Sequence, residues 1–207
     1  MDFHSFADEL VKLAFSETNR IGKFRRELVP GDILLTSFDK ADPELGSGKK
    51  VTLPERVFRR ISKKVQGDTE HSAIYVGQGK VIETGPRHGA IRKPLGRMTG
   101  HKGGILAVRP NVDERERRRA VTRAKQLIGT KYSVPRLVRA GLANHVRLRP
   151  EKIKDRTKHQ YICSTLVGDA YDKVQFNERK PADALMPADF FRSDKTESVA
   201  RLLPKKV

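Results

Sequence analysis

The stretch HSAIYVGQGKVIET, residues 71–84, constrains the fold of this chain more than any other. Two runs rich in β-branched and aromatic residues flank Gly77-Gln78-Gly79, the signature of a β-hairpin. A three-residue loop pairs Val76 with Lys80, Ile74 with Ile82 and Ala73 with Glu83. Ile74 and Ile82 then share one face, as a core requires, since a one-residue slip would send the apolar set to the other side. The same register places His71 and Glu83 on the opposite face as near-diagonal neighbours, within reach of long side chains. A two-residue loop would separate them.

The flanking segments supply the rest of the sheet and its cover. ELVPGDILLTSF (27–38) reads as a turn at Pro30-Gly31 followed by a strand, and DKADPELGSGKK as a loop. LPERVFRRISKKV (53–65) has helical period, with Leu53, Val57, Ile61 and Val65 on one face. GAIRKPL and GGILAVRP add two strands. DERERRRAVTRAKQLIG (113–129) is a helix with acids in its first turn and Gly129 at its end. CSTLVGDAYDKV is the last clear helix, and the Pro-rich PADALMPADFF closes the domain. Strands grouped in succession between helices predict an α+β fold, an antiparallel sheet packed against helices including the one that carries the cysteine. Residues 2–15 form an amphipathic helix through Phe3, Phe6, Leu10 and Leu13, which either packs on its own domain or docks a protein partner. The expected organisation is 1–26 helix and linker, 27–194 domain, 195–207 basic tail.

Lys and Arg number 43 against 25 acids, a net charge of +18. Between Arg109 and Lys158 there are 16 basic and 5 acidic residues. That stretch is either a solvated face or an attractor of anionic polymers: nucleic acid, anionic lipid or wall polymer. Its one aromatic residue, Tyr132, offers no base-stacking platform. A single cysteine excludes an intramolecular disulfide framework and Cys-rich zinc sites, and no histidine or acid cluster has ligand spacing, so no metal or cofactor is expected. The N-terminus lacks the basic and apolar regions of a signal peptide, and no apolar run reaches the ~18 residues of a membrane span. The expected location is the cytoplasm, or a larger particle such as a virion.

That cysteine, Cys163, stands at the start of a helix, where unpaired N–H groups and the helix dipole favour thiolate and can stabilise an oxyanion. Position alone leaves open a buried core cysteine. A nucleophilic thiol needs a base. Of the six histidines, His71 is the one that opens a core-forming strand. Glu83 is either a solvent-facing strand residue or the acceptor that fixes the His71 tautomer.

The order PGDILL, HSAIYVGQGKVIET, GAIRKPL, YICSTLVGDAY, MPADFF resembles a circularly permuted papain-like hydrolase over roughly 27–192. It is similar to the permuted branch of the NlpC-type superfamily, which includes YiiX-like bacterial proteins and lecithin retinol acyltransferase-like enzymes. The resemblance implies Cys163 as nucleophile, His71 as base and Glu83 as its orienting partner, acting through an acyl-enzyme thioester. It also implies Tyr132, in GTKYS, as a cleft residue, and Ser164, in the Cys-Ser pair, as a substrate contact. The expected activity is a thiol-dependent amidase or peptidase, for instance on peptidoglycan-type peptides. The alternatives are an acyltransferase or thioesterase on lipid substrates, or a structural protein of a phage virion docking by its N-terminal helix and basic surface.

Overall fold

The computed structural model describes residues 19–37, 69–98, 104–137, 160–180 and 182–202. The expected helices at 2–15 and 53–65 and residues 138–158 of the basic stretch lie outside them. Helix α1 spans 19–27. Strands β1 (Ile33–Ser37), β2 (Thr69–Gly77), β3 (Lys80–Gly85), β4 (Gly89–Pro94) and β5 (Ile105–Pro110) follow, with a 3-10 turn at Leu95–Arg97. Then come α2 (Glu114–Gln126), the short strands β6 (Lys131–Tyr132) and β7 (Gln160–Tyr161), α3 (Cys163–Ala170), a 3-10 turn at Ala182–Ala184, α4 (Pro187–Arg192) and β8 (Thr196–Leu202). The fold is α+β. Its six-stranded sheet has the order β4-β3-β2-β1-β5-β8, every neighbour antiparallel, and β6 and β7 form a separate parallel pair.

Strand alternation divides the core in two. Ile33, Leu35, Ile74, Ile82 and Val108 face one way and pack with Ala120 and Ala124 of α2 and Leu166, Val167 and Ala170 of α3. Leu34, Ala73, Tyr75, Val81 and Ala107 face the other way and meet Phe24 and Leu28. Tyr171, Phe176 and Phe190 close the first layer by edge-to-face contacts, with centroids 5.7 and 4.9 Å apart. The Tyr171 hydroxyl reaches across to donate to the Gly31 carbonyl at 2.5 Å. Gly31 has φ 102°, and a Cβ there would stand 2.7 Å from that hydroxyl, so the turn before β1 requires glycine.

Both ends of the domain differ from expectation. The segment read as a linker is helical from residue 19 and buries Phe24. Residues 196–202, read as part of a basic tail, form β8 on the edge of the sheet beside β5, with Ala200 and Leu202 buried. The hairpin keeps the expected Ile74↔Ile82 pairing by another route. The turn is a two-residue one, Gln78 and Gly79 both at positive φ, and Gly77 rather than Val76 pairs with Lys80. A register shift between Tyr75 and Gly77 restores the odd offset that puts His71 and Glu83 on one side. Among the described residues no helix is long and apolar enough to cross a membrane.

Candidate active site around Cys163

The ladder between β2 and β3 ends at Ile74↔Ile82, although β2 runs back to Thr69 and β3 on to Gly85. The strands part there, and the site occupies the parting. Cys163 is the first residue of α3, behind Ile162 in extended conformation (φ −99°). The Thr165 hydroxyl accepts the Ile162 N–H at 3.0 Å and sharpens the entry into the helix. Leu166 and Val167 anchor the helix in the core.

His71, Glu83 and Cys163 come together. The imidazole Nε2–H donates to Glu83 Oε2 at 2.7 Å, which leaves Nδ1 for the thiol. The thiol lies close enough to His71 to feel its charge. Burial disfavours the imidazolium, but Cys163 and then Glu83 outweigh it and raise the His71 pKa to about 10. Burial likewise pushes the thiol up, and the charge and hydrogen bond of His71, with Ser72, bring it below its ordinary value. Both shifts run in the direction of a thiolate and an imidazolium. Cys163 is 6% exposed and the His71 side chain 17%, so the site is sheltered from bulk water while the imidazole keeps an open edge.

Glu83 is 4% exposed and carries more than one partner. Lys93 Nζ on β4 lies 2.6 Å from Oε1, and His88 Nε2 lies 3.8 Å from the same oxygen. Burial opposes the carboxylate, yet His71 and Lys93 hold its pKa at about 2. Lys93 was missed in the sequence. Its signal was the β3–β4 register: Glu83 pairs Ile91 and Val81 pairs Lys93, which makes Lys93 a diagonal neighbour of Glu83.

Tyr132 borders the site, and burial together with the Cys163 charge holds its phenol protonated. Its segment is docked on β4 by Gly89, whose neighbour Ala90 donates to the Thr130 carbonyl at 2.9 Å. Gly89 has φ 64°, and a Cβ there would lie 2.3 Å from that carbonyl oxygen. Ser164 points elsewhere: it is fully buried and donates to the Leu185 carbonyl at 2.5 Å, tying α3 to the loop before α4. Asp32, the acid of the Gly-Asp turn, is likewise structural, chelated by Arg109 Nε at 2.8 Å and Nη2 at 2.9 Å.

A thiol drawn toward its ionised form at a helix N-terminus, a base beside it and a carboxylate behind the base form a set suited to nucleophilic attack on a carbonyl. No protein-family model matches the sequence, and no curated protein matches it either.

Proposed function

We propose that the chain is a cysteine hydrolase of permuted papain-like fold, cleaving amide bonds in peptides, including those of peptidoglycan type. The observation that carries the reading is His71 held between Glu83 and Cys163, the thiol being the first residue of α3. The Cys163 thiolate attacks the acyl carbonyl, and the S–C bond forms as the carbonyl π pair moves to oxygen. The Cys163 N–H at the helix start supports that oxyanion. As the intermediate collapses, the C–N bond breaks and His71 gives its proton to the leaving amine, so a thioester remains. His71 then takes a proton from water, whose oxygen attacks the thioester and releases the acid and the thiolate. Glu83 holds the ring and its charge throughout. The net charge of +18 draws an anionic substrate or scaffold to the enzyme.

The test is intact-protein mass spectrometry during incubation with a panel of acyl-peptide amides and peptidoglycan stem peptides. A covalent acyl adduct on Cys163 that is absent in Cys163→Ala, together with a released amine, is expected. Adduct formation with acyl lipids alone would replace the amidase reading with acyl transfer. Absence of any turnover or adduct across the panel would contradict both.

A further inference from the structure

One polar group at the site remains without a role. Ser72 is fully buried on β2, and its hydroxyl forms no full hydrogen bond among the described residues. Buried hydroxyls are ordinarily satisfied, so an unsatisfied one calls for an explanation. Its backbone has the same peculiarity. Tyr75 directs its N–H and C=O to the β1 side, bonding Asp32 and Gly31. Alternation along the strand therefore turns the Ser72 N–H toward β3. The β3 ladder has already ended at Ile82, so no β3 partner takes that N–H and it is directed toward the side where the Cys163 thiol lies. The hydroxyl faces the same sulfur, in a looser contact than a complete hydrogen bond.

We infer that Ser72 is a catalytic residue of this site, its backbone N–H and side-chain hydroxyl forming a two-donor cradle for the Cys163 thiolate in the gap where β2 and β3 part. This rests on reading Cys163 as an ionised nucleophile. The cradle acts alongside His71: donors to a thiolate favour the charged form whatever the proton on the imidazole does. The other groups facing the sulfur are the His71 ring on β2 and the Tyr132 phenol on β6. Glu83, Lys93 and His88 act on the pair through the carboxylate behind His71.

The experiment is the rate of Cys163 alkylation by iodoacetamide against pH, with thermal melting of the same variants. In Ser72→Ala the inflection moves up by about one pH unit. The high-pH plateau stays at or slightly above wild type, because a more basic thiolate is intrinsically the better nucleophile. Ser72→Thr, which keeps the hydroxyl, retains the wild-type inflection. Thr84→Val, which removes another buried hydroxyl lacking a full hydrogen bond, leaves it unmoved. In a Cys163→Ala background Ser72→Ala melts at or above its parent, because no thiolate is left for the hydroxyl to serve. An unshifted Ser72→Ala profile, an equal shift in Thr84→Val, or loss of folding by Ser72→Ala even without the thiol would overturn the inference. The enzymatic reading fails separately, if His71→Ala leaves the profile unchanged.

Discussion

At Glu83 a buried carboxylate meets an imidazolium on one oxygen and an ammonium on the other. Lys93 thereby keeps Glu83 ionised and fixes which oxygen His71 receives. The Glu83 pKa is held at about 2, below its ordinary 4.5, so its contribution to stability is present above about 4.5 and is lost as pH falls toward 2. Lys93→Met should destabilise by about 2 kcal/mol at neutral pH and start acid unfolding at higher pH, as read by melting between pH 2 and 6. The cysteine–histidine pair behaves differently. The unfolded pair holds its thiol proton up to about 8.5, whereas the folded pair holds one on His71 up to about 10. Above 8.5 the unfolded pair loses its proton while folded His71 keeps its own up to about 10, so stability falls as pH rises. Melting temperature against pH should show that fall in wild type. In Cys163→Ala, where the thiolate no longer raises His71, the fall above 8.5 should shrink. His71 and Glu83 were legible because a hairpin register can be worked out from Ile74 and Ile82. Ser72 was not, because its role depends on where a ladder stops, and no residue pattern marks that.

Among the elements, the helix at 114–126 follows from its acidic first turn and the glycine after it, and the Asp113 carboxylate accepts the Glu116 N–H at 2.7 Å, whereas the cysteine helix ends at Ala170, short of the expected CSTLVGDAYDKV. The hairpin turn did not follow. Gly77, Gln78 and Gly79 fit either loop length, and the bulge that reconciles them is invisible until the strands are paired. The last strand, TESVARL, was obscured by its charges: exposed Glu197, Ser198 and Arg201 hide the buried Ala200 and Leu202. Gly89 is the element-scale device most open to test. Gly89→Ala drives a Cβ into the Thr130 carbonyl at a positive φ. It should lower stability by about 1–3 kcal/mol and slow Cys163 alkylation by displacing the segment that carries Tyr132, whereas a Gly22→Ala control, with open space around it, should do neither.

For the whole molecule, the sheet is held as one unit by a tie across its middle. Arg109 on β5 grips fully buried Asp32 before β1 and also donates to the Glu27 carbonyl at the end of α1 at 3.0 Å. Arg109→Ala leaves a buried charge unpaired and should cost about 3–5 kcal/mol in denaturant unfolding, with Arg109→Lys recovering part of it. Antiparallel α+β architecture was readable from the grouping of strands between helices. The joining of β8 to β5 was not, because nearly half the chain's length separates the two strands. The catalytic account stands or falls on the ionisation of Cys163. Iodoacetamide alkylation of the wild type and of His71→Ala across pH measures it directly. The expected result is a wild-type thiol reactive well below pH 8.5, and a His71→Ala inflection moved toward that ordinary value. A wild-type thiol that reacts only above pH 8.5, with no response to loss of His71, would contradict it.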